Sequence, residues 1–388
     1  MQWSLDPDLK RSRAAVELLR KATGQSPDAE RAWLALSRAQ IEAGMPREAA
    51  ACLRQALARL PQSAALHAAL ARVLRDGDAF EEALAEVARA LSLAPRDKQA
   101  LVLQFELFVL ARKREDAARM AGDVAALAPD NPRLLEVSER LRGPEDLLAL
   151  CDRRLSQHPG HTDAHHFKAL ALARLGRNAE ACAVMALDRL VQMGELAAPP
   201  GFSSAAEFRT QLATEIRRNP TLRSDPYGKA TRDGLQTAAL RQPDSPAVDA
   251  LLAAIKKAVD DYERRIAASD TGFAAGRPAR ARLNAWAVIY GKDGHQTSHR
   301  HPDGWLSGVY YVAAPRPGGS NAYRGFLRLG ALDGKRYGFE PPWGVAPVEP
   351  VPGRLVLFPS YVPHATEATG IDGARISVAF DVVPDTPG

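Results

Sequence analysis

A repeat of 34 residues in the first half of the chain constrains its fold more than any other feature. Four prolines and three alanines recur at this step: Pro27, Pro61, Pro95, Pro129, Ala49, Ala83 and Ala117. Two short amphipathic helices with their turns use about 34 residues, and neither helix can bury its apolar face alone. Proline ends the second helix of each hairpin because it cannot continue the hydrogen-bond ladder. The spacing therefore predicts stacked helical hairpins.

Residues 61–94 illustrate one such unit. The first helix is predicted over Ala64–Leu74 and the second over Phe80–Leu93. This pattern resembles the tetratricopeptide family, and the resemblance covers about residues 10 to 190. The period shortens at the end of this region, since Pro159 follows Pro129 after only 30 residues. The resemblance implies a solenoid whose groove binds a peptide or a partner protein.

Composition limits the partners and the compartment. The chain has 51 basic and 46 acidic residues among 388, and this excess of +5 is too small to indicate nucleic-acid binding. Its three cysteines form no Cys-x-x-Cys pair, so we expect neither a thiolate zinc site nor a disulfide framework. No segment approaches the roughly 20 apolar residues that span a bilayer, and Met1–Arg13 contains no apolar run of a signal peptide. These features predict a cytoplasmic protein with no membrane and no nucleic-acid partner.

The helical periodicity fades near Leu190, and residues 197–201 are predicted to be a linker. We therefore divide the chain into a repeat domain, residues 1–192, and a second domain, residues 193–388. Two amphipathic helices are predicted in the second domain, over Ala205–Arg218 and Ser245–Ala268. The polar segment Tyr227–Thr237 between them is predicted to be a loop.

From Arg280 onward the pattern changes to short segments rich in β-formers, punctuated by glycine and proline. Strands are predicted over Leu283–Tyr290, Leu306–Val312, Arg354–Phe358 and Ala374–Val383. Many short strands separated by turn residues indicate a sandwich or a barrel.

The histidines of this second domain have a spacing typical of metal ligands. His299 and His301 are two residues apart, so on an extended chain both side chains point to one side and can reach one ion. The same argument pairs His301 with Asp303. A third histidine, His364, follows a predicted buried strand, and an Arg-x-Ser element begins at Arg375.

This order of motifs resembles the 2-oxoglutarate/Fe(II) oxygenase superfamily, whose fold is a double-stranded β-helix, or jelly roll. It is most similar to the branch in which His-x-His runs into Ser-Gly-Val-Tyr-Tyr, as in His299–Tyr311, and Phe-Pro-Ser precedes a distal histidine. Thr231–Thr237 also looks similar to the leading loop of that branch. The resemblance covers about residues 195 to 385. It predicts a multidomain chain, with an all-α tetratricopeptide solenoid followed by a jelly roll with flanking helices.

The resemblance implies Fe(II), 2-oxoglutarate and dioxygen (O2) as cofactor and cosubstrates. Three side chains on one face would hold the iron, and the opposite positions would stay open. His301 and His364 are ligands in either version of the site. Resemblance to the His-x-His branch implies His299 as the third ligand, whereas the carboxylate ligand usual in the superfamily would be Asp303. We favour His299. These three histidines are the predicted catalytic residues.

The resemblance also implies a binding site for 2-oxoglutarate. The planar guanidinium of Arg375 matches a carboxylate in a bidentate manner. Ser377 is two residues further along the same strand, so its hydroxyl faces the same way. Tyr311, or alternatively Tyr310, is expected to add a third contact, and Asn284 on an earlier strand is a further candidate.

Four other histidines, at positions 158, 161, 165 and 166, form a cluster in the sequence. Pro159 and Gly160 interrupt any helix between the first of them and the rest. We therefore interpret this cluster as surface or packing residues.

These observations favour an oxygenase that hydroxylates a protein or peptide side chain docked by the repeat domain. One alternative keeps the oxygenase but gives it a small molecule or natural product as substrate. A second alternative is a non-catalytic tetratricopeptide scaffold whose barrel has lost its activity.

Overall fold

The computed structural model describes residues 1–3, 9–43, 45–77, 79–129, 131–141, 143–224, 230–267, 272–315 and 323–385. Contacts divide the chain into two compact units. Asp6–Leu141 forms one, the repeat unit, and Met1–Leu5 with Arg142–Gly388 forms the other, the sheet unit. The sequence pattern placed the boundary after residue 192. The contacts instead assign the last helical hairpins to the sheet unit, because their faces are buried there.

The repeat unit is built from consecutive helices that pack on their neighbours in the chain. They are α1 (Leu9–Gln25), α2 (Glu30–Glu42), α3 (Pro46–Arg59), α4 (Ala64–Asp76), α5 (Phe80–Leu93), α6 (Lys98–Leu110), α7 (Arg114–Leu127) and α8 (Pro132–Leu141). The helix predicted over Phe80–Leu93 is confirmed at both ends, and α4 extends two residues beyond its predicted end. This region is the predicted tetratricopeptide-like solenoid.

The 34-residue period has local structural causes. Ser63 and Asp97, one period apart, cap α4 and α6 by accepting hydrogen bonds from backbone N–H groups in the first helical turn. The repeated alanines let the two helices of a hairpin approach closely, and each is at most 2% exposed: Ala49, Ala83 and Ala117. Each second helix ends just before a repeat proline, as the sequence predicted.

The sheet unit begins with helices that continue the hairpin pattern and then surrounds its sheet with others. They are α9 (Pro144–Gln157), α10 (Thr162–Arg174), α11 (Asn178–Met185), α12 (Leu187–Leu190), α13 (Ala205–Arg217), α14 (Pro246–Ile266), α15 (Gly272–Ala275) and α16 (Gly334–Tyr337). The two amphipathic helices predicted for this region are confirmed as α13 and α14, with ends within two residues of those expected.

The strands form one strongly curved, mostly antiparallel sheet. They are β1 (Gln2–Trp3), β2 (Gln192–Glu195), β3 (Leu222–Ser224), β4 (Thr231–Thr237), β5 (Arg280–His299), β6 (Leu306–Ala313), β7 (Leu327–Leu329), β8 (Ala346–Val348), β9 (Arg354–Pro359), β10 (His364–Thr366) and β11 (Arg375–Pro384). The main order is β2-β9-β6-β11-β5-β10-β7-β8, with β1 and β4 also pairing with β5 and β3 with β4. This is the predicted jelly roll.

The four predicted strands are confirmed, but two local predictions differ from the structure. The strand predicted to end at Tyr290 continues as β5 to His299, because β4 and β10 supply hydrogen-bonding partners to its polar second half. The loop predicted over Tyr227–Thr237 is wrong for Thr231–Thr237, which is strand β4. Its side chains are polar and do not show the pattern of a strand, but its backbone pairs with β5 and β3. Residues 225–229 lie outside the described residues.

The hydrophobic core of the sheet unit lies between the curved sheet and the helices that cover it. Tyr310 and Phe208 meet where α13 packs on β6, and Tyr262 of α14 packs against Trp305. Among the helices described here, none combines the length and the apolar character needed to cross a membrane.

Candidate active site

The three histidines that the sequence singled out as metal ligands lie together inside the sheet unit. His299 ends β5, His301 follows two residues later, and His364 opens β10 directly opposite His299 in the antiparallel ladder. One ring nitrogen from each lies within 4.8 Å of those of the other two. This distance allows one ion to reach all three imidazoles.

Hydrogen bonds fix which nitrogen of each ring faces the centre of the group. The Nδ1 atom of His299 lies 2.8 Å from the Thr297 carbonyl oxygen, and that of His364 lies 3.1 Å from the Val362 carbonyl oxygen. A ring whose Nδ1–H donates to a carbonyl presents Nε2 as a lone-pair donor. Both histidines are therefore held in the form that binds a metal through Nε2.

His301 is oriented by a carboxylate. Its Nδ1 lies 2.7 Å from Oδ2 of Asp381, and the other carboxylate oxygen accepts a hydrogen bond of 2.6 Å from the Ser307 hydroxyl. Ser307 also lies 2.8 Å from the hydroxyl of Ser360. On the opposite side the ring stacks on Trp286, with centroids 5.5 Å apart. The Nε2 atom is buried and has no hydrogen-bond partner among the described residues, so it fits a metal ligand.

The electrostatics of the group keep the rings of His299 and His364 neutral. Burial, together with the neighbouring His301, lowers the pKa of His299 to about 3. Burial and the two other histidines likewise hold the pKa of His364 well below its usual range. Neutral imidazoles have the free lone pair that metal coordination requires.

Asp303, the alternative third ligand, does not join this group. It lies exposed in the turn after His301. The extended chain that would bring its side chain to the same face as that of His301 ends at His299, where β5 stops.

Arg375 lies beside the histidines with its charge buried. The side chain is 1% exposed, and its guanidinium donates to the carbonyl oxygens of Gly325 (2.6 Å) and Glu367 (3.0 Å) and to the Thr366 hydroxyl (3.2 Å). It stacks on Tyr290, with Cζ 4.6 Å from the ring centroid. No carboxylate of the described residues pairs with it. Burial lowers the pKa of this guanidinium. A bound anion would therefore stabilise the buried positive charge.

The other predicted cosubstrate residues separate into two groups. Ser377 and Tyr311 face each other across paired strands β11 and β6 and both line the cavity beside Arg375. Burial raises the pKa of Tyr311 to about 12, so its hydroxyl remains a hydrogen-bond donor. Asn284 lies two residues before Trp286 on β5, but it is exposed and outside the cavity lining.

One cavity connects these groups. Its wall combines the three histidines and Arg375 with hydroxyl, amide and apolar side chains: Gln296, Ser307, Tyr311, Thr366, Ser377, Trp286, Val288, Tyr290, Val309, Leu327, Phe358, Ala379 and Phe380. The polar groups lie within a largely apolar wall, which is the usual composition of a small-molecule site.

His165 and Trp305 have packing roles, and His161 has a capping role. His165 is buried, stacks on Tyr361 at 5.0 Å and lies 2.7 Å from the Pro159 carbonyl oxygen. His161 caps α10 through its Nδ1. Trp305 is 1% exposed and stacks on Phe273 at 4.9 Å.

Asp381 is the main site residue that the sequence interpretation missed. It lies on β11 at the same face as Arg375, Ser377 and Ala379, since side chains alternate along a strand. A carboxylate six residues after the predicted cosubstrate arginine, within a strand otherwise rich in apolar residues, was the available signal. Its pairing with His301 depends on a contact across 80 residues, which spacing alone does not give.

Fold and site together define the C-terminal part of the chain as a jelly roll with a candidate metal site of three histidines. Residues 284–381 match the family model described as "Putative 2OG-Fe(II) oxygenase", a family that implies Fe(II) and 2-oxoglutarate. Residues 8–73 match the model described as "Tetratricopeptide repeat". The chain therefore contains one segment that matches each of these two family models.

Solved structures resemble parts of the chain at low identity. A prolyl-4-hydroxylase from Pseudomonas putida is 21% identical, covering 53% of this chain and 100% of that one with a TM-score of 0.36. YrrB, a TPR protein with an unusual peptide-binding site, is 16% identical over 45% of this chain and 93% of that one, TM-score 0.39. A tetratricopeptide repeat protein from Parabacteroides merdae is 17% identical over 46% and 73%, TM-score 0.40. The search of curated proteins found no match.

Proposed function

We propose that this chain is an Fe(II)- and 2-oxoglutarate-dependent hydroxylase that acts on a protein or peptide side chain docked by its repeat region. One observation carries the proposal. A single cavity contains three imidazoles with convergent nitrogens and a buried guanidinium that has no carboxylate partner among the described residues. The first group suits a divalent metal and the second suits an organic anion.

His299, His301 and His364 would hold the iron through Nε2. Three neutral ligands leave the ion with its full charge, unlike a site with one carboxylate ligand. Asp381 supplies a negative charge one hydrogen bond away, on the far side of the His301 ring. A carboxylate in this position raises the basicity of the imidazole and fixes its orientation.

Arg375 would bind the far carboxylate of 2-oxoglutarate. The hydroxyls of Ser377 and Tyr311 line the same part of the cavity and can donate to the same oxygens. A buried guanidinium gains most from such a partner, because the low polarity around it strengthens the pairing. The three histidines line the same cavity, so they would be available to the other end of the cosubstrate.

When bound, the iron supplies the oxidative chemistry that couples decarboxylation of 2-oxoglutarate by dioxygen to hydroxylation of the substrate. The protein contributes position and exclusion of water. Trp286 stacks on His301, and Phe358 packs edge-on against His364 with centroids 4.9 Å apart. These rings keep the imidazoles from turning and exclude water from the back of the site.

A groove in the repeat unit supports a protein or peptide as the substrate. Helices α1 to α3 border a groove with about 1050 Å³ of empty space, lined by Arg20, Thr23, Gly24, Pro27, Trp33, Leu36, Gln40, Glu48, Ala51, Cys52, Gln55 and Arg59. Gln40 is 3% exposed, and its Oε1 has no partner among the described residues. A peptide backbone N–H would satisfy this oxygen, and charged side chains at the rim suit a polar chain.

Release of succinate from 2-oxoglutarate tests the enzyme directly. Full-length protein with Fe(II), 2-oxoglutarate and oxygen should release succinate, and His364→Ala should abolish both this reaction and Fe(II) binding because one of three ligands is lost. His295→Ala is the matched control, since His295 lies on β5, the strand that ends at His299, but outside the cavity lining. Full activity of His364→Ala would contradict the proposal, and absence of succinate from wild-type protein that binds Fe(II) would favour the scaffold alternative.

The same assay separates the substrate classes. Succinate release should rise when a peptide library is added, because substrate couples the two half-reactions. A rise with a pool of small metabolites, and none with peptides, would favour the small-molecule alternative.

A further inference from the structure

The first turn of helix α10 contacts the chain between two of the proposed metal ligands. Arg300, which separates His299 from His301, donates from Nε to Oδ1 of Asp163 at 2.8 Å. The two side chains are 15% and 4% exposed, so the ion pair is largely shielded from water. The pair joins residues 137 apart in sequence.

Further contacts hold the same segment. The Thr162 hydroxyl donates to the Gly304 carbonyl oxygen at 2.5 Å, and the Arg300 guanidinium lies over the Phe167 ring, 4.8 Å from its centroid. Residues Thr162, Asp163 and Phe167 share the face of α10 that is turned to the sheet. The segment from His299 to Gly304 is therefore fixed to this helix at two points.

The second ligand segment is fixed to the same hairpin. His165 of α10 stacks on Tyr361, three residues before His364. The Tyr361 hydroxyl donates to the Val184 carbonyl oxygen of α11 at 2.8 Å. Both chain segments that carry metal ligands thus rest on the last helical hairpin of the repeat pattern.

A close backbone contact sets the position of α10. Gly160, in the turn before the helix, lies so near Gly276 that a Cβ on Gly160 would be 2.4 Å from the Gly276 carbonyl oxygen. A Cβ on Gly276 would be 2.2 Å from the backbone of Gly160. Only glycine fits at either position, so the start of α10 has little freedom to move.

From these contacts we propose that Asp163 is a positioning residue for the metal centre, acting through Arg300 to hold His299 and His301 in their binding geometry. The inference rests on the proposed function and adds to it that the last repeat-like hairpin supports the site. Ligands that must converge on one ion lose affinity when the segment carrying them can rotate. Removing the carboxylate also leaves the shielded Arg300 charge without this partner.

A carboxylate in the first turn of a helix also interacts favourably with the helix dipole, whatever else it contacts. Loss of helix stability alone would lower the melting temperature and leave the metal affinity of the folded protein unchanged. Metal affinity and the ligand-field spectrum of bound Co(II) are therefore the measurements that separate the two roles.

The test uses titration of the full-length apoprotein with Co(II), whose absorbance reports the ligands and their geometry. Asp163→Asn should weaken Co(II) binding by roughly tenfold and alter the spectrum, in line with residues that orient metal ligands. Asp152→Asn is the matched control. It removes a half-exposed carboxylate that pairs with Lys168 of α10 at 2.7 Å, and the variant should bind Co(II) like wild type.

A double variant, Asp163→Asn with Arg300→Gln, removes both charges of the ion pair and leaves no unpaired buried charge. Its Co(II) affinity therefore tests the proposal even if the single variant does not fold. Weakened Co(II) binding by the double variant supports the proposal. Wild-type affinity and spectrum in the double variant would overturn it, since the pair would then not position the ligands. If that result came with normal succinate release by the wild type, the inference would fail while the proposed function stood.

Discussion

The repeat unit and the sheet unit each contain a histidine bound to a carboxylate, and the two pairs differ in what remains unsatisfied. In the repeat unit, His67 lies 2.6 Å from Glu86 through Nδ1 and 3.2 Å from the Pro61 carbonyl oxygen through Nε2. In the sheet unit, the Nδ1 of His301 meets Asp381, but its buried Nε2 has no partner in the described part of the chain. Both ring nitrogens of His67 thus have partners within the fold. The Nε2 atom of His301 would gain a partner only from a bound ligand or metal.

The arginines of the two units repeat this difference. Arg75 pairs with Glu106 at 2.7 Å and with Asp76 at 2.9 Å, so its charge is balanced inside the repeat unit. Arg375 is more deeply buried, and its described hydrogen bonds go to carbonyl and hydroxyl oxygens. A buried charge without a counter-ion is costly for folding alone, so its presence indicates a site for an anionic ligand.

Replacing Arg375 should have the largest effect on cosubstrate binding. Arg375→Gln removes the charge but keeps a hydrogen-bond donor, and we expect 2-oxoglutarate to bind about 100-fold more weakly, or about 3 kcal/mol, because charge-assisted hydrogen bonds are lost. Calorimetric titration with 2-oxoglutarate measures this. Arg75→Gln is the control and should leave the affinity unchanged. Equal affinities of wild type and Arg375→Gln would mean that the cosubstrate binds elsewhere.

The His301–Asp381 pair should affect metal binding next most strongly. Asp381→Asn keeps the shape of the side chain but removes the charge that orients and polarises the imidazole, so metal affinity should fall roughly 10- to 100-fold. Glu86→Gln makes the corresponding change at His67 and should not alter metal affinity. Titration of both apoproteins with Co(II) gives the comparison. If the two variants behave alike, the unsatisfied Nε2 of His301 has no special role.

Much of this contrast was accessible from the sequence. The 34-residue period predicted the hairpins, because a repeat unit makes its contacts with close neighbours in the chain. The order of His299, His301, His364 and Arg375 predicted the group that the cavity contains, since strand alternation fixes which side chains share a face.

The parts that were missed depend on contacts between distant segments. Strand β4 was predicted to be a loop because its polar side chains carry no apolar alternation, whereas its backbone pairs with β5. Asn284 shares a face with Trp286 yet lies too near the strand end to enter the cavity. Both errors arise because strand pairing and strand curvature are set by the whole sheet and not by local pattern.

His165 separates two explanations for the role of a histidine. Its role could follow from the structural unit in which it lies or from whether its ring nitrogen already has a hydrogen-bond partner. It belongs to the sheet unit, but its Nε2 is engaged by the Pro159 carbonyl oxygen, so we expect it to contribute to stability, as His67 does, and not to coordinate a metal. Burial lowers its pKa to about 4, with smaller contributions from neighbouring groups. The unfolded chain therefore takes up a proton at higher pH than the folded chain does, near the ordinary value of about 6.5.

The stability that His165 contributes is consequently present above about pH 6.5 and is lost as the pH falls towards about 4. Between about pH 7 and pH 5.5 the expected loss from this residue is about 1 kcal/mol. His165→Gln keeps a donor for the Pro159 carbonyl but does not titrate, so urea unfolding at the two pH values should show a smaller difference than in wild type. His158→Gln, at an exposed position of the same region, should retain the wild-type difference. A smaller pH dependence in His165→Gln than in His158→Gln would show that a histidine whose ring nitrogen is already engaged within the fold acts as a stabilising residue. Equal pH dependence in the two variants would contradict that role.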